Sequence, residues 1–345
     1  MLFTIGVYQF ASLESCVSRI EGSRILVTGG TGSIGSETVR QLLKRDPAHI
    51  TILSRDDSKQ FYLKDELSGS DNVTFIIGDV RDRESLDRAF RNGVDIVIHA
   101  AALKHVEICE INPTESVKTN ILGTQNIVDL SIANDVKQLI TISTDKAVNP
   151  TNTMGATKYL AEKITLDCNE KSQVSAFCAR FGNVLSSRGS VIPSMVKGIK
   201  KNGRIWVSDG DVTRFAIPID HAASLVLDAI ELSLGGEIFV LKMKSFSIKQ
   251  LVDVMLGLEL FDGVVGVEYR GLTQGEKLHE DLISDDELTR LWESDSHYVV
   301  MPHNFTPPKN FHLTKSVKKV YNSGTEDMFT DKEIESEILR YINEP

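Results

Sequence analysis

The segment Thr28-Gly29-Gly30-Thr31-Gly32-Ser33-Ile34-Gly35 constrains the fold more than any other part of this chain. It lies between an apolar run at 24–28 (RILVT) and a helical pattern that continues through residue 44. A glycine turn joining a buried strand to a helix opens a doubly wound α/β unit. Gly29 permits the tight turn, Gly32 lets backbone approach a pyrophosphate, and Gly35 lets the helix pack close to the sheet. Thr31, Ser33 and Ile34 complete the loop. A pyrophosphate here would rest on free N–H groups at the helix start.

More short apolar runs follow at 50–54, 73–78, 95–100, 139–143 and 174–180, with helical patterns at 83–91, 114–134 and 153–169. Continuous apolar strands alternating with helices predict an α/β fold, a Rossmann-like doubly wound parallel sheet over residues 24–183. Beyond 183 the pattern loosens. Helices are expected at 191–201, 248–258 and 285–291, strands at 204–207 and 237–241, and irregular chain over 296–319. Residues 184–304 then form a smaller mixed C-terminal substrate-binding lobe, interleaved with the first domain. Residues 305–345 form a tail ending in an acidic helix at 331–343, where Thr330 and Glu333 are spaced as a capping box. Residues 1–23 read as an N-terminal extension. Their first eleven are apolar but lack the basic flank and cleavage site of a signal peptide.

Composition excludes several classes of function. The net charge is −10, with no basic stripe interleaved with aromatics, which argues against nucleic acid as a partner. No apolar run approaches the roughly 18 residues of a membrane span. Cys16, Cys109, Cys168 and Cys178 include no CxxC pair, as expected of reduced thiols in a cytoplasmic protein. The dispersed histidines share no ligand spacing with them, so no metal is expected.

Candidate site residues sit at the carboxyl ends of the expected strands. Asp56 lies where an acid binds an adenosine ribose, whereas the Arg55 fork suits a 2′-phosphate and Ser54 adds a hydrogen bond. The balance favours NADP, with NAD as the alternative. Asp79 and Val80 follow the third strand, near an adenine. Ala100, Ala101 and Ala102 follow the fourth, where small residues let a cofactor lie flat. Ser143-Thr144-Asp145-Lys146 closes the fifth strand, and Met154 precedes Lys158 by one helical turn. Asp145 and Lys146 provide two groups of different proton affinity. Burial moves both towards neutrality and their mutual attraction opposes it. Consecutive strand residues point to opposite faces, so both reach one site only if the chain turns after Ser143.

The chain resembles an extended short-chain dehydrogenase/reductase. More closely, it resembles the UDP-N-acetylglucosamine 4,6-dehydratase family of flagellin-glycan and capsule biosynthesis. The matching strings are LVTGGTGSIGSE (26–37), AALKHVE (101–107), KTNILGTQN (118–126), STDKAVNPTNTMGATK (143–158), RFGNVLSSRGSVIP (180–193), TRF (213–215) and GEKLHE (275–280). SRDDSKQ at 54–60 resembles the soluble branch, whose members use NADP and invert C-5. The resemblance implies a reaction in which hydride leaves C-4 of a UDP-sugar, the C-5 proton is removed, the C-6 hydroxyl departs as water, and hydride returns to C-6.

Met154 stands where some members carry tyrosine. Methionine moves no proton, so acid-base work is expected of Asp145 (protonating the departing hydroxyl) and Lys146 (taking the C-5 proton). Thr144 or Ser143 would bind the C-4 oxygen and Lys158 the nicotinamide ribose. Lys104 would reach cofactor or sugar, with His105 beside it, and Asn120 joins the cofactor-binding set. The resemblance further assigns Asn183, Arg188, Val191, Arg214 and Glu276 to the UDP moiety, and implies a homo-oligomer. The alternatives are a C-5-retaining dehydratase or UDP-hexose 4-epimerase, and a non-catalytic NADP-binding regulatory protein.

Overall fold

The computed structural model describes residues 18–343 except 186, 188, 259–265 and 308–310. Arg188 and residues 1–17 of the expected N-terminal extension therefore lie outside the described residues. The strands of the first half are β1 (Arg24–Thr28), β2 (His49–Ser54), β3 (Val73–Ile77), β4 (Ile96–His99), β5 (Gln138–Thr144), β6 (Ser175–Phe181) and β7 (Asn183–Val184). Those of the second are β8 (Arg204–Val207), β9 (Thr213–Ile217), β10 (Ile238–Leu241), β11 (Lys244–Ser247), β12 (Gly266–Tyr269), β13 (Leu291–Glu293), β14 (His297–Val300) and β15 (Thr314–Lys315). The helices are α1 (Ser33–Leu42), α2 (Asp57–Glu66), α3 (Arg83–Phe90), α4 (Val106–Ile111), α5 (Pro113–Ser116) and α6 (Gly123–Ala133). They continue with α7 (Thr153–Lys171), α8 (Val191–Asn202), α9 (Ile219–Leu232), α10 (Ile248–Gly257), α11 (Asp285–Leu288) and α12 (Asp331–Asn343).

One ten-stranded sheet runs β15-β13-β14-β10-β6-β5-β4-β1-β2-β3. From β3 to β10 every pairing is parallel; β14, β13 and β15 add antiparallel pairings. Alternation along each strand explains the apolar runs. Ile25, Val27, Ile50, Ile52, Ile96 and Ile98 pack on one face with α1 and α9, while Leu26, Leu53, Val97 and Leu139 pack on the other with α3 and α6. Strand order reverses between β1 and β4, the switch point at which an open α/β sheet leaves a crevice.

The chain beyond 183 serves two bodies. β10, β13, β14 and β15 extend the large sheet, while a third core gathers α8, α10, α12, β8 and β9. The last forty residues are thus no separate tail: Ile334 and Ile338 of α12 are buried in this third core, and β15 pairs with β13. The Thr330–Glu333 capping box forms in both directions.

Local expectations differ from the structure in four places. The helix expected at 114–134 is broken by a π-helical turn, Val117–Leu122, between α5 and α6. The helix expected at 285–291 stops at Leu288, because Leu291 pairs with Val300 in β13–β14. The stretch expected to be irregular contains β14 and β15. Helices α2, α4 and α9 and strands β9, β11 and β12 were not anticipated. Among the described residues no helix is long and apolar enough to cross a membrane.

Candidate active site

A cleft of about 1000 Å³ opens at the carboxyl ends of β1 to β6, and runs from the start of α1 to the start of α8. At one end Gly29 has φ 67°, and a Cβ there would lie 2.7 Å from the Ala101 nitrogen. A Cβ on Gly35 would lie 2.4 Å from the Gly29 oxygen, so the turn and the helix approach only as glycines. Gly32 is the N-cap of α1 and provides no side-chain cap, and the first turn holds no acid. Orphan amide N–H groups at such a start suit an anion. Thr31, Ser33, Ile34, Val80, Ala100, Ala101 and Ala102 also line this end. This cradle fits a dinucleotide.

The β2 tip is a charged corner. Arg55 is half-exposed and 3.7 Å from the Asp79 carboxylate, which Arg81 holds at 2.6 Å. Burial would raise the Asp79 carboxyl, but hydrogen bonds and charge from Arg81 outweigh it and hold it below its ordinary range. Asp56 lines the cleft and also starts α2. Its Oδ1 caps α2 by accepting the Lys59 N–H at 2.9 Å, and its Oδ2 pairs with Lys59 Nζ at 2.5 Å. Lys59 lines the cleft and was missed, although the capping spacing from Asp56 signals it. Ser54 Oγ accepts from Thr31 Oγ1 at 2.9 Å, tying the strand tip to the glycine turn.

In the middle of the cleft, β5 ends at Thr144 and the chain turns into a 3₁₀ segment, Asp145–Ala147. The required turn is there, but it delivers only one of the two expected groups. Lys146, about one-fifth exposed, lines the cleft, while Asp145 is wholly buried behind it. Asp145 Oδ1 accepts from Thr144 Oγ1 at 2.7 Å and from Lys146 Nζ at 3.1 Å, while Oδ2 is buried without a hydrogen-bond partner. Lys146 Nζ also lies 3.4 Å from Asn183 Oδ1 and 3.5 Å from Glu280 Oε1. Burial would lower the Lys146 ammonium, but the Asp145 and Glu280 carboxylates outweigh it and hold it above the ordinary lysine value. It therefore rests as a cation, against the expectation of a ready base.

Asn152 caps α7 through the Gly155 N–H, which sets Met154 and Lys158 on the cleft wall. Lys158 Nζ donates to the Ile142 oxygen at 2.5 Å, and burial lowers its ammonium. Ser143 Oγ and Thr119 Oγ1 are buried at the cleft without partners, as polar atoms that await a ligand would be. Lys104 and His105 line the cleft, with burial and then Lys104 lowering the imidazole. Asn120 is not in the cleft: its side chain bonds both backbone groups of Leu103 and the Thr157 hydroxyl, so it holds the 101–105 loop rather than a cofactor.

At the far end, Gly189, Ser190 and Val191 line the cleft where α8 begins. Ser190 is its N-cap residue, and its Oγ is buried and unpartnered. Ser190 was missed, though a serine directly before the 191–201 helical pattern is a capping signal. Asn183 lines the cleft, but Arg214 and Glu276 do not. Arg214 donates to the Thr213, Lys277 and Leu278 carbonyls and pairs with Glu276 at 2.9 Å. The two charges thus pair with each other outside the cleft lining. Their segment is clamped to the loop before α7: Thr151 Oγ1 donates to the Gly275 oxygen at 2.8 Å, and Lys277 Nζ to the Val148 oxygen at 2.7 Å.

The family model described as "Polysaccharide biosynthesis protein" matches residues 25–302. The UDP-N-acetylglucosamine 4,6-dehydratase (inverting) of Campylobacter jejuni (serotype O:23/36, strain 81-176) is 41% identical over 286 residues, 81% of this chain and 83% of that protein. The UDP-glucose 4-epimerase of Rickettsia bellii (strain RML369-C) is 38% identical, over 80% of this chain and 82% of its own. The crystal structure of Pen from Bacillus thuringiensis superposes with a TM-score of 0.87 at 34% identity, over 93% of this chain and 98% of that one.

Proposed function

The chain belongs to the polysaccharide biosynthesis protein family, and on that premise we propose that it is a UDP-N-acetylglucosamine 4,6-dehydratase that inverts C-5. The observation that carries the reading is the single cleft, which joins two uncapped helix starts past Thr144, Lys146 and Lys158. One start suits the dinucleotide pyrophosphate, the other the diphosphate of a nucleotide sugar. Identity to the Campylobacter dehydratase supports the substrate and the stereochemistry.

Bound nicotinamide would accept hydride from C-4 and return it to C-6. The protein's own residues handle the protons. Ser143 and Thr144 hold the C-4 oxygen, and Lys146, once neutral, takes the C-5 proton. Asp145 lies one hydroxyl back from the cleft, so it takes up the proton lost by the C-4 hydroxyl through Thr144 Oγ1 and returns it by the same route to the departing C-6 oxygen. The half-exposed Arg55 at the strand tip, with Lys59 beside it at the cleft, favours NADP over NAD. Cytoplasmic location and homo-oligomerisation belong to the same reading. Exposed Ile108 and Ile111 on α4, with Tyr159 and Leu160 on α7, support a self-association face.

A 4-epimerase is the second reading, favoured by the Rickettsia relative. Buried Met154 weighs against it, since methionine cannot exchange a proton with the C-4 hydroxyl. Incubation with UDP-N-acetylglucosamine separates the two: a 6-deoxy-4-keto product supports dehydration, whereas a C-4 epimer that keeps its C-6 hydroxyl supports epimerisation.

A further inference from the structure

Lys146 presents a difficulty that its immediate neighbours resolve. A C-5 base must be an amine, yet this lysine rests as an ammonium between two carboxylates. Asp145 Oδ1 already accepts hydrogen bonds from Thr144 and from Lys146. The second carboxylate, Glu280, has no place in the chemistry so far. It is 3% exposed and does not line the cleft, and its Oε1 lies 3.5 Å from Lys146 Nζ. Its Oε2 is buried without a hydrogen-bond partner; the closest cation there, Lys277 Nζ, stands 3.7 Å away and donates to the Val148 oxygen.

The backbone fixes this carboxyl group firmly. The Glu280 N–H donates to Ser323 Oγ at 2.9 Å, and the Ser323 N–H donates to the Glu280 oxygen at 2.9 Å. The Thr213 N–H donates to the Leu278 oxygen at 3.0 Å. The titratable and charged groups around it are Lys146 and Asp145 from the turn after β5, Arg214 from β9, and Glu276, Lys277, His279 and Asp281 from its own segment. Arg214 is occupied by carbonyls and by Glu276, so Lys146 is the cation closest to Glu280.

We infer that Glu280 is the internal proton acceptor that converts Lys146 from ammonium to amine before C-5 is deprotonated. This rests on the dehydratase reading above. One proton moves from Nζ to Oε1: an N–H bond breaks, an O–H bond forms, the ion pair becomes a neutral pair, and no electron is exchanged. The amine then takes the C-5 proton. The Lys146 ammonium then releases a proton to solvent while C-5 is protonated from solvent on the opposite face, and Glu280 returns its own proton to Nζ, which restores the ion pair. Burial first raises the Glu280 carboxyl, and the Asp145 charge adds to that rise against the opposing pull of Lys146, Arg214 and Lys277. A sugar in the cleft would cover the exposed part of Lys146 and leave this internal route open. Glu280 acts through Lys146 and is a positioning residue for its proton.

The test is the rate of deuterium wash-in at C-5 of UDP-N-acetylglucosamine in deuterated water, read by NMR across a pH series. The cofactor-loaded wild type is compared with Glu280→Gln and Glu280→Asp. Wild type is expected to reach a plateau near neutral pH. Glu280→Gln is expected to fall about 100-fold at neutral pH and then climb roughly tenfold per pH unit, because Lys146 must lose its proton to solvent. Glu280→Asp, still able to accept a proton, is expected to regain the plateau. UDP binding and the unfolding midpoint of Glu280→Gln verify that it is folded. A Glu280→Gln profile of wild-type shape, at any absolute rate, would overturn the inference and leave the dehydratase reading standing. No wash-in by the wild type would overturn both.

Discussion

Lys146 shows how much one residue's neighbours decide. Exposed, it would be one more surface cation; between Asp145 and Glu280 it is a half-buried, doubly paired cation at the cleft wall. Replacing it tests the base assignment. Lys146→Ala should lower C-5 deuterium wash-in by at least ~100-fold, while UDP binding measured by calorimetry stays near the wild-type value. Near-normal wash-in would remove Lys146 from the chemistry. The sequence pointed to this pair because an acid and an amine stand together at a strand end. It could not say which of the two faces the cleft, since a 3₁₀ turn redirects both. Arg214 and Glu276 show a related limit: a charge in a sequence shows its sign but not its partner, and these two are 2.9 Å apart. Glu280 lies in the same GEKLHE string, and only the fold brings it to Lys146 from 134 residues away (280 − 146).

Among elements, the β2–α2 corner is where the proposed NADP preference is tested. Asp56 starts α2 as its cap, and Lys59, held by that cap, joins Arg55 at the cleft. Charge-assisted contacts of this kind contribute about 1.5–3 kcal/mol each. Arg55→Ala with Lys59→Ala should therefore weaken NADP binding by at least ~10-fold and leave NAD binding nearly unchanged, as measured by titration calorimetry. Equal loss for both dinucleotides would contradict the 2′-phosphate role. The parallel half of the sheet was legible because strands buried on both faces are unbroken apolar runs. Helix α2 was not, because Phe61 and Tyr62 are exposed on it and blur its apolar stripe. The antiparallel strands were harder still. β13, β14 and β15 are two to four residues long; β13 pairs with its chain neighbour β14, while β14 joins the sheet through β10, far back along the chain. The π-helical turn has no local signature, although it carries Asn120 and so sits against the cleft loop that Asn120 holds.

Across the whole molecule, one buried ion cluster ties the catalytic helix to the segment that carries Glu280. Arg180 on β6 forks onto Glu162 of α7 at 2.7 Å and Glu287 of α11 at 2.9 Å, and also donates to the Leu282 oxygen at 2.8 Å. Burial would raise the Glu287 carboxyl, but Arg180 outweighs it and holds it at about 2. The folded value is thus depressed, so its stabilisation is complete above the ordinary value of 4.5 and is lost as pH falls towards about 2. Arg180→Met leaves two buried carboxylates facing each other and should cost about 3–5 kcal/mol in urea unfolding at neutral pH. Because the missing arginine no longer lowers Glu287, the acid-induced loss should also begin at higher pH. An unchanged unfolding midpoint would show that the cluster does not hold the two halves together. The most direct measurement of the central claim is NMR of UDP-N-acetylglucosamine incubated with the cofactor-loaded protein in deuterated water. The predicted result is loss of the C-6 hydroxyl, deuterium at C-5, and ring couplings of the inverted sugar. A C-4 epimer that keeps its C-6 hydroxyl and carries no deuterium at C-5 would contradict it.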